Sequence, residues 1–270
     1  MSAPLFRLRG IAFAHPGARR ILADVDFDLD AGERVALIGA NGAGKTTLLR
    51  IMVGLLAPAA GTITAFGSRR AGEAAFHEVR CRAGLLFQDA DDQLFCPTVL
   101  EDVAFGPLNL GKTGEQAREI AERTLAGLGL AGFGGRITYK LSGGEKRLVS
   151  LATVLAMEPD VLLLDEPTNA LDEAAADRLL DYLGRLPQAM AIATHDRRVI
   201  AALATRAVLL RDGSLLPTTV HDHPHTHLHR HPHVHAATAD AIEGSVDDPD
   251  EDDVVHGHRH RPPANRKAGI

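Results

Sequence analysis

Residues 39–46 read GANGAGKT, and no other stretch so narrows the fold. The segment follows an apolar run at 33–38 that reads as a strand, and it opens the series TLLRIMVGLL, which reads as a helix. A G-x-x-x-x-G-K-[ST] loop in that context demands an α/β unit. Its glycines let successive backbone N–H groups curl around phosphates, and the helix N-terminus adds its positive end. The candidate nucleotide ligands are therefore Gly39, Asn41, Gly42, Ala43, Gly44, Lys45, Thr46 and Thr47. Lys45 would reach the β- and γ-phosphates, and Thr46 would bind Mg²⁺.

The remaining body alternates in the same way. Strands are predicted at 5–13, 25–29, 62–66, 84–87, 161–165, 189–193 and 207–211, with helices at 114–128 and after the loop at 141–145. The run VLLLD at 161–165 is apolar on both faces, as in a strand covered on both sides. Strands alternating with helices indicate an α/β domain with a mainly parallel sheet.

Two further motifs carry chemistry. VLLLDEP places Asp165 and Glu166 at the end of that buried strand, where one carboxylate can serve Mg²⁺ and the other can deprotonate an attacking water. Alone the pair would equally suit a loop N-cap; beside the Lys45 loop it reads as catalytic, with Asp165 for the metal and Glu166 as base. LSGGE at 141–145 sets Ser142 and Gly144 before a helix, a second anion-binding terminus with no second nucleotide in its own domain. A head-to-tail dimer resolves this, each terminus closing on the nucleotide of its partner.

Taken together, residues 5–216 resemble the nucleotide-binding subunit of an ATP-binding cassette transporter: GANGAGKTT, Gln88, LSGGE, VLLLDEP, Asp172 in NALD and His195 in ATHD occur in that family's order. The resemblance implies an ATPase of the P-loop NTPase fold, with an antiparallel β subdomain and an inserted helical subdomain at about 88–156. It implies that Gln88 senses the γ-phosphate and Mg²⁺, that Asp172 crosses a dimer interface, and that His195 contacts the γ-phosphate. His15 stands where the family usually has a tyrosine stacking on adenine; its smaller face can stack with less area. Glu145 replaces the commoner glutamine, and Asn169 replaces a small residue.

Residues 87–111, FQDADDQLFCPTVLEDVAFGPLNLG, are similar to the ATPases of energy-coupling-factor uptake systems. That likeness implies a surface near 88–106 that receives a coupling helix from a membrane subunit. Leu94, Phe95, Val99, Val103 and Phe105 would form an apolar groove edged by Asp91, Asp92, Glu101 and Asp102, suited to an amphipathic helix with basic flanks, although Val103 and Phe105 would equally suit the core.

Composition changes after residue 217. Histidine fills every odd position from 221 to 235 (His221, His223, His225, His227, His229, His231, His233, His235), and His256, His258 and His260 follow a DDPDEDD run. The segment 218–270 has no apolar period able to build a core, so a disordered tail is expected beyond a body at 1–217. Imidazole suits Ni²⁺, Co²⁺, Cu²⁺ and Zn²⁺, and redundant donors at period two fit a low-specificity metal buffer or sensor better than a defined zinc cage. Lys plus Arg number 24 against 26 Asp plus Glu in the body and 5 against 9 in the tail, giving −2 and −4. Neither part is basic enough to make nucleic acid the partner. Two cysteines make no disulfide framework, and no apolar run is long enough to span a bilayer.

These expectations converge on an ATPase of a transition-metal importer, nickel or cobalt, at the cytoplasmic face of the membrane. It would act as a homodimer or heterodimer beneath separate membrane subunits, using ATP and Mg²⁺. The alternatives are the ATPase of a vitamin importer with a metal-scavenging tail, a non-transport cassette protein, and a metal-storage protein.

Overall fold

The computed structural model describes residues 4–17 and 20–218. The tail with its eleven candidate histidines, His221 to His260, lies outside the described residues. In chain order the elements begin with β1 (Phe6–Ala14), β2 (Arg20–Leu29), β3 (Arg34–Ile38), α1 (Lys45–Met52), β4 (Ala60–Ala65) and β5 (Ser68–Arg70). Next come α2 (His77–Arg82), β6 (Ala83–Leu86), α3 (Val99–Asn109), α4 (Gly114–Gly127) and α5 (Gly143–Leu155). The chain then runs through β7 (Val161–Asp165), α6 (Glu173–Gly184), β8 (Ala189–Ala193), α7 (Arg197–Leu203), β9 (Arg206–Arg211) and β10 (Ser214–Thr218).

Six strands form one sheet in the order β10-β9-β3-β8-β7-β6, parallel throughout except for the β9/β10 hairpin. The period of two assigns its side chains to two cores. Val161 and Leu163 of β7 join one cluster, whereas Leu162 and Leu164 join the other; Ala191 and Ile192 of β8 divide likewise. This is why the sequence of β7 reads as continuously apolar. On one side lie α1 and a four-stranded antiparallel sheet, β2-β1-β4-β5, whose Phe6, Leu8, Phe27 and Ile63 enter the same core as Leu48 and Leu49. On the other side α5, α6 and α7 supply Leu151, Leu155, Leu179 and Val199.

The inserted helical arm is α3, α4 and the outer stripe of α5, and it has its own core of Val99, Val103, Ala117, Ala121, Leu125, Val149 and Ala152. Each of the three helices starts with a capping box: Thr98 with Glu101, Thr113 with Gln116, and Ser142 with Glu145. Each box satisfies two otherwise orphaned N–H groups and fixes where the helix begins.

The arm corrects part of the expected groove. Val99 and Val103 are fully buried in the arm, because α3 turns positions 99 and 103 to one inner face. Asp102 is no rim charge either: it is buried, and its Oδ1 accepts the Phe95 N–H at 3.1 Å and the Cys96 N–H at 2.9 Å, folding the loop before α3. Phe95 and Phe105 do stand exposed, ring edge to ring face at 4.8 Å. They border a groove of about 260 Å³ that also takes Val53, Leu85, Phe87 and Met157. Cys81 and Cys96 are both free thiols, with burial pushing Cys96 up to about 11. Among the described residues no helix is long and apolar enough to cross a membrane.

Candidate functional site

Parallel pairing brings the ends of β3, β8, β7 and β6 to one edge of the sheet. The phosphate loop follows β3, Thr194 and His195 follow β8, Asp165 and Glu166 close β7, and Gln88 follows β6. In an open α/β sheet the crevice beyond the carboxyl ends of the strands is where ligands bind.

The loop is held tightly at its last glycine. Gly44 has φ 107°, and a Cβ there would stand 2.7 Å from Ile21 Cγ2, so both backbone and packing require glycine. No side chain caps α1, so the N–H groups of its first turn have no side-chain acceptor. Lys45 is only 7% exposed, and its Nζ donates to the carbonyls of Gly39 at 2.8 Å and Ala40 at 3.2 Å. The ammonium is thereby fixed inside the loop that carries Asn41, Gly42 and Ala43, and Thr47 follows on the first turn.

Asp165 is 2% exposed; burial raises its carboxyl above the usual range, opposed by a hydrogen bond from the Thr46 side chain. A hydroxyl beside a buried carboxylate is a hard-oxygen pair that fits Mg²⁺. One residue on, Glu166 adopts φ 48°, a left-handed conformation costly for a side-chain-bearing residue. Its Oε2 accepts the Thr194 hydroxyl at 3.1 Å, and its Oε1 lies 2.8 Å from His195 Nδ1. A carboxylate only accepts, so Nδ1 is the donor, on a side chain that is 74% exposed.

Other candidates are placed apart from this cluster. Gln88 is exposed and borders a hollow of about 410 Å³ with Gly143, Arg147 and Asn169. Ser142 Oγ accepts the Glu145 N–H at 3.3 Å, which leaves its own O–H free to donate. Gly144 lets the Ala170 carbonyl approach to 3.1 Å from where a Cβ would be. Neither residue bonds to the phosphate loop among the described residues. Asp172 caps α6 through Oδ1 to the Ala175 N–H at 2.7 Å. His15 is exposed just past β1, its ring edge-on to Phe13 at 5.0 Å.

The departure at Glu145 has a structural reason. Its carboxylate accepts the Ser142 N–H at 2.8 Å and pairs with Arg136 at 2.6 Å, and its pKa is lowered, first by the Ser142 backbone bond and then by the Ser142 and Arg136 side chains. Stability from this group is therefore complete above the ordinary glutamate range and lost as pH falls through the lower folded value. Glu145→Gln keeps the capping box but not the charge, so Tm should fall slightly at pH 7 and converge on wild type in acid, flattening the acid limb. An unchanged acid limb would remove Glu145 from that titration.

Sequence reading missed two residues. Gln93 joins the loop after β6 to α5: its Oε1 accepts the Phe87 N–H at 3.0 Å, and its Nε2 donates to the Ser150 carbonyl at 2.7 Å. Arg147, 2% exposed, lies on the inner stripe of α5 and donates to backbone carbonyls on both β6 and β7 loops. The available signal was a lone charge at 147 in register with Leu151 and Val154.

A phosphate loop, a buried acidic strand end and a second glycine-rich helix start on one α/β body define a P-loop ATPase. The chain belongs to the ABC transporter family: residues 22–169 match its profile, described as ABC transporter. It binds and hydrolyses ATP. A Brucella suis protein described, without a named substrate, as an ABC transporter ATP-binding protein is 55% identical over 220 residues, 82% of this chain and 91% of that one. The cobalt import ATP-binding protein CbiO of Rhodobacter capsulatus is 44% identical over 220 residues, 79% of this chain and 78% of its own. The solved structure of cbiO1 from Clostridium perfringens, part of the complex cbiONQ, superposes with a TM-score of 0.70 at 29% identity, covering 80% of this chain and 88% of that one.

Proposed function

We propose that this chain is the ATPase of a nickel or cobalt importer, working as a dimer at the cytoplasmic face of a membrane under separate membrane subunits. The observation that carries the metal assignment is the eight-histidine alternation at 221–235 attached to an ATPase whose relatives include proteins named for cobalt import and nickel import. The body at 1–217 carries the ATPase, and the tail at 218–270 serves as a low-specificity metal buffer or sensor.

In this reading Asn41 to Thr47 enclose the phosphates, Lys45 neutralises them, and Thr46, Asp165 and Gln88 hold Mg²⁺. Bound there, Mg²⁺ draws charge from the phosphate oxygens. Glu166 takes a proton from water as that water bonds to the γ-phosphorus and the bond from the γ-phosphorus to the β–γ bridging oxygen breaks, giving ADP and phosphate. Thr194 and His195 each hold one oxygen of Glu166, and the second lone pair of either oxygen remains for the water. Ser142 and Gly144 close on the nucleotide of the partner, Asp172 lies at the dimer interface, and His15 stacks on adenine. The Phe95/Phe105 groove beside Gln88 receives the amphipathic coupling helix of a membrane subunit.

Relatives named as energy-coupling-factor transporter ATP-binding proteins without a substrate favour a second reading, a vitamin importer with a metal-scavenging tail. The test is to purify the full chain with the membrane proteins it retains, reconstitute the complex in vesicles, and measure Ni²⁺ and Co²⁺ entry. Entry should require ATP, vanish in Glu166→Gln, and weaken at low metal when the odd-position histidines become alanine. Metal binding by the tail should fall steeply with pH near ~6.5, because only neutral imidazole is a ligand. A complex that hydrolyses ATP but moves neither metal would sink the metal reading.

A further inference from the structure

Arg147 is used by none of the roles assigned so far, yet it is among the most completely engaged side chains in the body. It stands in the first turns of α5, five residues after Ser142. Its Nη1 donates to the carbonyls of Phe87 and, at 3.3 Å, Gln88. Its Nη2 donates to the carbonyls of Asp165 and, at 2.6 Å, Glu166, and its Nε donates to Pro167 at 3.2 Å. A guanidinium offers five N–H donors in a rigid fork, and five carbonyls from two separate loops accept them. Burial lowers the Arg147 pKa to about 10, and Asp165, Glu166 and Asp89 oppose that shift, so the group stays charged at neutral pH.

What those carbonyls belong to gives the arrangement its meaning. Three are consecutive and span the left-handed turn at Glu166, whose φ of 48° is unfavourable unless its surroundings fix it. The other two lead directly into and include Gln88. A lysine has the charge but not the fork, and its single ammonium cannot span both loops.

We propose that Arg147 is a positioning residue for hydrolysis, setting Glu166 and Gln88 in register with each other and with the helix that begins at Ser142. The proposal rests on the roles given to Glu166 and Gln88 above. It predicts that the arginine fork matters to turnover more than to nucleotide binding, since none of its five bonds reaches residues 39–47.

The test compares the full chain with Arg147→Lys and Arg147→Gln, measuring kcat and KM for ATP, ATP affinity, Tm, and hydrogen exchange of peptides covering 87–93 and 165–171. The expected result for Arg147→Lys is kcat lower by up to about 100-fold, the scale of a misplacement near 1 Å, with KM and ATP affinity within about threefold. Exchange should quicken in both loops while β8 and α1 stay protected. Arg147→Gln should lose kcat at least as far. Turnover and exchange like wild type in Arg147→Lys would overturn the proposal. Parallel loss of Tm, ATP affinity and kcat in both variants would also overturn it, by assigning Arg147 to folding alone. Glu166→Gln separates the two readings: if it still hydrolyses ATP the site assignment fails, and if it is inactive while Arg147→Lys is normal only the Arg147 proposal fails.

Discussion

Glu166→Gln is expected to bind ATP with an affinity close to wild type and to lose hydrolysis by about 10²–10⁴-fold, the range for removing a general base. The substitution suits the local geometry. An amide oxygen can still accept from His195 Nδ1, now 2.8 Å from Oε1. Size and backbone conformation are retained, so the Arg147 bond to the Glu166 carbonyl has no reason to break. Proton acceptance is removed, and the Thr194 contact reverses, the amide N–H donating to the hydroxyl where Oε2 accepted. The measurement is steady-state phosphate release alongside titration with a fluorescent ATP analogue. Turnover within a few-fold of wild type would take Glu166 out of the reaction.

Lys45→Ala is expected to act on the opposite quantity, weakening ATP binding by about 100-fold or more. A charge-assisted hydrogen bond contributes about 1.5–3 kcal/mol, and a factor of ten corresponds to about 1.4 kcal/mol, so losing two phosphate contacts reaches that scale. The Gly39 and Ala40 carbonyls that now accept from Nζ lie on a loop where water can replace it, so Tm should shift by only a few degrees. Affinity within threefold of wild type would show that the ammonium does not meet the phosphates.

The parallel sheet was legible because β7 and β8 bury both faces and so are apolar without a break. The phosphate loop was legible because its glycines and Lys45 are consecutive. The antiparallel strands were found short or shifted: β2 begins at Arg20 instead of 25, since its first half, Ile21 to Ala23, is a run of three apolar residues with no alternation and the register against β1 shifts there. α3 was read as a docking surface, and only its Phe105 side is exposed. Which of its apolar residues face inward depends on α4 and α5, far along the chain, and the spacing of Val99 and Val103 alone could not tell core from groove. Arg147 was hidden for a different reason. Its acceptors are all backbone carbonyls, and carbonyls leave no mark in an amino-acid sequence.

Helix α5 belongs to two cores at once, with Leu151, Val154 and Leu155 rooted in the sheet and Val149, Ala152 and Ala156 in the arm. Advancing it by one residue, about 100° of turn, would carry both stripes out of place. Uprooting the three sheet-side chains alone would cost roughly 1.5–3 kcal/mol apiece. The helix is therefore stiff against twisting, and a push on the arm travels along it as displacement of a rod. The near end of that rod carries Ser142, and its first turns grip two loops. In mechanical terms α5 is built as a pushrod, not as a shaft that turns.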